Sequence, residues 1–130
     1  MSYAGDLAPA QAWETLTQGA VLLDVRTAGE WAHIGVPDLS SLGAEPVFIP
    51  WNLADGTNNA AFVTELAAAV PAETPLVVLC RSGARSIAAA QAATAAGYTA
   101  FNVLEGFEGG TDRFGERTLN GWKNRQLPWK

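Results

Sequence analysis

Leu76-Val77-Val78-Leu79-Cys80-Arg81-Ser82-Gly83-Ala84-Arg85-Ser86 is the stretch on which the reading of this chain turns. Its first four residues are a short apolar run of Val and Leu preceded by Pro75, as expected of a strand buried on both faces. The alanine-rich pattern from Ile87 to Ala96 predicts a helix that ends near Gly97. Between them lies a tight strand-to-helix loop headed by the only cysteine in the chain. There the free N–H groups of a first helical turn and the helix dipole favour an anion. A helix N-terminus contributes about 0.3–1 kcal/mol to such an anion. An arginine at ~5 Å contributes about 3 kcal/mol at an effective dielectric of ~20, before screening. Arg81 and Arg85 supply two such charges. All these effects favour a thiolate, so Cys80 is expected to be a nucleophile. A buried, inert cysteine is the plain alternative. It gives no reason for Gly83, Ser82, Ser86 and the two arginines.

Outward from this loop, strand-like runs alternate with helical patterns. Pro9 to Thr17 reads as a helix with Asp6 as a candidate cap and Ala12, Trp13 and Leu16 on one face; Gly19 stops it. Val21-Leu22-Leu23 is a short strand ending at Asp24-Val25-Arg26. Thr27 with Glu30 has the spacing of a capping box and predicts one helical turn to Ala32. Ile34 to Pro46 lacks periodicity and reads as a loop. Val47-Phe48-Ile49 is a strand ended by Pro50. Asn58 or Asn59 caps a helix whose apolar stripe is Phe62, Val63, Leu66, Ala67 and Val70. Ala100 to Val103 is the last strand. Short apolar strands joined by helices predict an α/β class: a parallel sheet with helices on both faces. Ligands of such sheets bind beyond the carboxyl ends of the strands, where Cys80, Asp24 and Pro50-Trp51 are all expected.

A chain of 130 residues is the size of one domain, and neither a linker nor a repeat divides it, so residues 1–130 are read as a single domain. Apolar content of 48% with 16% charged residues fits a soluble globular protein. A net charge of −5 without a basic run argues against nucleic acid and anionic membrane as partners. Met1 to Asp6 lacks the basic and apolar regions of a secretory signal, and one cysteine allows no internal disulfide, so a cytoplasmic location is expected. One Cys and one His do not make the usual metal-ligand set, and no cofactor is expected.

Three features taken together resemble the single-domain rhodaneses, a family of sulfurtransferases. The first is the loop Cys80-x4-Arg85. The second is Leu22-Leu23-Asp24-Val25-Arg26 followed by Glu30-Trp31 and His33-Ile34. The third is Asn102-Val103-Leu104-Glu105-Gly106-Phe107 with Gly121-Trp122 and Leu127-Pro128-Trp129. The chain departs from the pattern at Ala32, where a Gly is usual. The segments from His33-Ile34 to Ile49-Pro50 and from Phe107 to Asn120 are also longer than usual, and both are expected beside the active loop.

The resemblance implies a three-layer α/β/α sandwich with a small, mainly parallel five-stranded sheet. It also implies a reaction: Cys80 takes the sulfane sulfur of an anionic, thiosulfate-like donor as a persulfide and passes it to cyanide, a thiol or a protein acceptor. In that scheme the N–H groups from Arg81 through Ser82, Gly83, Ala84 and Arg85 to Ser86 cradle the outer sulfur. Arg81 faces the donor, and Arg85 turns inward to pair with Asp24. Trp51 lines the pocket wall or packs in the core. Phe107, Glu108, Asp112 and Arg113 are candidates for the rim. His33 is expected to be structural, Arg26 to pair with Glu30, and Trp122 and Trp129 to pin the C-terminal segment. One alternative is a binding or regulatory module on the same fold. Another is a Cys-dependent phosphatase or arsenate reductase, which favours Cys-x5-Arg and, for the reductase, further cysteines.

Overall fold

Strands without polar alternation must be covered on both sides, and here they are. In the computed structural model, which describes residues 2–130, one all-parallel sheet contains β1 (Gly5–Leu7), β2 (Val21–Asp24), β3 (Val47–Phe48), β4 (Leu76–Leu79) and β5 (Ala100–Val103). Their spatial order is β1-β5-β4-β2-β3. Central β4 aligns Leu76 to Leu79 with Val21 to Asp24 on one side and Leu76 to Val78 with Ala100 to Asn102 on the other. The helices are α1 (Pro9–Thr17), α2 (Ala28–Ile34), α3 (Phe62–Ala69) and α4 (Ala84–Ala95).

Side-chain alternation along β4 divides the core in two. Leu76, Val78 and Cys80 pack with Phe62 and Leu66 of α3 and Ala89, Ala90 and Ala93 of α4. Val77 and Leu79 pack on the opposite face with Ala12 and Leu16 of α1, Leu39, Phe107 and Trp122. The alanines of α4 let that helix lie close to the sheet that carries the thiol. The three-layer α/β/α architecture is as expected, and the sheet is parallel throughout.

Several local expectations are corrected. Asp6 belongs to β1, which pairs with β5 at the sheet edge. Gln11 instead caps α1, its Oε1 accepting from the Ala8 N–H at 2.9 Å. Thr27 and Glu30 do form the capping box, but α2 continues to Ile34. The N-cap of α3 is Ala61, whose N–H donates to Asn59 Oδ1 at 3.1 Å, so Asn59 acts from just outside the helix. Phe62, Leu66 and Val70 make its buried stripe, whereas Val63 and Ala67 are exposed. Helix α4 starts at Ala84, three residues before Ile87, which places Arg85 and Ser86 in its first turn.

Candidate active site

Cys80 follows the last residue of β4, and its thiol lies under the turn that starts α4. The residue is 1% exposed, so its sulfur forms the floor of the loop. The Gly83 N–H donates to Sγ at 3.1 Å. Gly83 is the N-cap of α4 and has φ +112°, a conformation that a side chain resists; it folds the loop back over the sulfur. Arg81 and Ser82 are exposed at the mouth, and Ala84 is exposed on the first turn of α4. Among the described residues Arg81 enters no ion pair.

The loop is held from behind by the segment after β5. The N–H of Phe107 donates to the Cys80 carbonyl at 2.8 Å, and the Glu108 and Gly109 N–H groups donate to the Arg81 carbonyl at 2.9 and 3.2 Å. A Cβ at Gly106 would lie 2.5 Å from the Arg81 carbonyl carbon, so this approach needs glycine. Phe107 is therefore fully buried in the core and does not belong to the rim. Asp112 accepts from the Phe114 and Glu116 N–H groups and the Thr118 hydroxyl, which folds its own loop. The Arg113 guanidinium lies over the Phe114 ring. Of the two longer segments, the second meets the active loop at its start. The first buries Leu39 on the α1 face of the sheet and bridges Pro37 to Trp129.

The arginine pairings differ from the expected ones. Arg85 makes a two-pronged bond to Glu30, Nη1 to Oε1 at 2.7 Å and Nη2 to Oε2 at 2.9 Å. Burial pushes the Glu30 carboxyl up. The hydrogen bonds from Arg85 and the Thr27 N–H, with the Arg85 charge, outweigh that and hold it at about 2. The same Glu30 hydrogen bonds raise the Arg85 guanidinium above its ordinary value. Asp24 is taken by Arg26: Nη2 to Oδ2 is 2.7 Å, and neither side chain is exposed. Arg26 also donates to the Gly35 carbonyl at 2.9 Å and stacks 4.3 Å from the Phe107 ring centroid. Asp24 and Arg26 thus form a closed pair at the carboxyl end of β2, against Phe107. Trp51 sets its ring edge against Phe62 at 5.1 Å and packs on the core. His33 is exposed in the last turn of α2. Trp122 is fully buried, with Nε1 donating to the Pro128 carbonyl at 2.7 Å, and Trp129 packs its ring 6.2 Å from Phe107.

Beside the sulfur stand Ser86, expected in the loop, and Asn102, which was not singled out as a site residue. Ser86 Oγ lies 3.2 Å from Sγ, and it bonds Asn102 Oδ1 at 2.5 Å. Asn102 Nδ2 in turn donates to Asp6 Oδ1 at 3.0 Å. The available signal was an Asn in the middle of the buried run Ala100 to Val103, where a polar side chain requires a partner.

A parallel sheet of this order, with a cysteine-headed loop at the end of its central strand, defines a rhodanese-like domain. The chain belongs to the STR4 middle domain family, whose model matches residues 5–130. An uncharacterised protein of Rickettsia conorii is 35% identical over 114 residues, covering 85% of this chain and 83% of that protein. The chloroplastic protein THYLAKOID RHODANESE-LIKE of Oryza sativa subsp. indica is 32% identical over 130 residues, covering 96% of this chain and a quarter (25%) of that protein. Among solved structures, Rv0390 from M. tuberculosis superposes with a TM-score of 0.93 at 53% identity, covering 98% of both chains. The polysulfide-sulfur transferase of Wolinella succinogenes shares the fold, with a TM-score of 0.63 at 21% identity over 99% of this chain and 79% of that one. Among the described residues, no helix is long and apolar enough to cross a membrane.

Proposed function

We propose that the protein is a sulfurtransferase that carries sulfane sulfur on Cys80. The observation that carries this reading is the seat of the thiol: beneath a four-residue loop, with the Gly83 N–H on its sulfur and Arg81 exposed at the mouth. Cys80 loses its proton to solvent, and the thiolate attacks the outer sulfur of an anionic donor such as thiosulfate. A sulfur–sulfur bond forms to Cys80, the donor's own bond breaks, and sulfite departs with the electron pair. The terminal sulfur of the persulfide then bonds to cyanide, a cellular thiol or a protein acceptor, and Cys80 recovers its thiolate. Arg81 draws the anionic donor to the mouth, and the loop N–H groups cradle the transferred sulfur. Ser82 and Ala84 shape the opening. The Arg85–Glu30 pair fixes the angle of α4, and Asp24 acts through its bond to Arg26. The donor and acceptor are small molecules or a protein thiol, in a cytoplasmic setting.

A phosphatase reading fits less well. A tetrahedral oxyanion would call for the loop arginine as a forked donor, and both Nη groups of Arg85 are engaged by Glu30. The test is intact-protein mass after incubation with thiosulfate and then with cyanide. The expected result is a gain of one sulfur atom on Cys80, removed by cyanide as thiocyanate and absent in Cys80→Ser. No adduct with thiosulfate, 3-mercaptopyruvate or polysulfide overturns the reading.

A further inference from the structure

The hydrogen bonds beside the thiol have a direction, and it can be read from the donors available. Asp6 offers only acceptors as a carboxylate, and its Oδ1 already receives the Tyr3 hydroxyl at 2.9 Å. The Asn102 atom facing it at 3.0 Å must therefore be Nδ2, which turns Oδ1 of the same amide towards Ser86. An amide oxygen has no proton to give, so the Ser86 hydroxyl donates to it. Ser86 has a single proton, and Asn102 takes it. What Ser86 presents to Sγ at 3.2 Å is a lone pair. That suits a thiol, which donates S–H to Ser86 while accepting from Gly83. It does not suit a thiolate, which would face that lone pair until the hydroxyl turned.

The geometry points to Asn102 as a positioning residue that withholds the Ser86 proton from the Cys80 sulfur by claiming it, with Asp6 fixing the orientation of the Asn102 amide. The inference deepens the sulfurtransferase reading and rests on it only for the use to which the thiolate is put. Conversion to the nucleophile then includes a turn of the Ser86 hydroxyl from Asn102 to the sulfur. The other charged groups about the loop are Arg85, which interacts with Cys80 and pairs with Glu30, Asp24 in its pair with Arg26, and exposed Arg81. All of these are left intact by changes at Asn102.

The experiment is the pH profile of Cys80 alkylation by iodoacetamide, read by intact mass, in variants whose fold is checked by circular dichroism. Asn102→Leu removes the acceptor and frees the Ser86 proton for the sulfur. Alkylation near neutral pH is expected to be roughly threefold to tenfold faster, with the profile moved to lower pH. The gain should vanish in Ser86→Ala/Asn102→Leu. A folded Asn102→Leu with the wild-type profile overturns the inference, as does a gain that persists without Ser86. If Asn102→Leu does not fold, the surface pair Asp6→Ala and Asp6→Asn decides. Asp6→Ala frees the amide to turn and should give a smaller shift in the same direction. Asp6→Asn keeps an acceptor without the charge and should give none. Equal shifts in the two, or no shift in Asp6→Ala, overturn the inference. Alkylation does not depend on sulfur transfer, so failure of the persulfide test leaves this result standing, and the reverse also holds.

Discussion

Two adjacent strands of the sheet end in opposite ways. At the carboxyl end of β2, Asp24 and Arg26 close on each other within three residues and exclude water entirely. At the end of β4, Cys80 is covered by a loop whose outer residues face solvent and whose arginine, Arg85, reaches Glu30 across 55 positions of sequence. One end is a brace and the other a mouth. The difference lies in where each charge sits: Arg26 is enclosed in the fold with Asp24, whereas Arg81 is exposed and, among the described residues, enters no ion pair.

The most severe way to break this contrast is to open the brace. Arg26→Ala leaves Asp24 buried without its cation, and such losses cost about 3–5 kcal/mol. A fall of roughly 10 °C or more in the thermal unfolding midpoint is expected at this chain length. A fall as small as that of a surface substitution would show that the β2 end is wetter than described. Glu30→Gln should be milder. Glu30 is held at about 2 against an ordinary 4.5, so its stabilisation is fully present above pH 4.5 and is lost as pH falls towards 2. The substitution should cost about 1–2 kcal/mol at neutral pH once screening of this half-buried pair is allowed for. Urea unfolding between pH 5 and 2 should also show a smaller loss of stability in the variant than in the wild type; equal slopes would refute the pairing. Arg81→Ala should be the mildest for the fold, within about 0.5 kcal/mol. It should still slow persulfide formation from thiosulfate by roughly tenfold, mainly through KM. A lost fold would mean that Arg81 had been placed wrongly.

The sequence made the two strand ends legible to different degrees. Val21 to Asp24 and Leu76 to Leu79 were readable because burial on both faces leaves an unbroken apolar signature. The Thr27–Glu30 box was readable because its partners are three residues apart. Strand β1 was not, because Gly5-Asp6-Leu7 has no apolar run and is a strand only through pairing with Phe101 to Val103. The start of α4 was placed late because Ala84-Arg85-Ser86 looks polar, although Gly83 already caps the helix. Side-chain partners were the least readable. Glu30 lies four residues from Arg26 in sequence, and only the fold, which brings it beside the first turn of α4, gives it to Arg85. Asn102 likewise became visible beside the sulfur only after β5 was placed next to β4.

The grip of Phe107, Glu108 and Gly109 on the carbonyls of Cys80 and Arg81 imposes an order of events on a chain made from its N-terminus. Cys80 joins the chain before the residues that hold its loop are made, so the pocket matures only when the segment beyond β5 folds back. A nascent chain halted after Val103 would contain every strand of the sheet and the thiol itself, yet lack the hydrogen bonds that hold the loop. Reactivity would then switch on late in synthesis, when the rest of the fold is already in place to contain it.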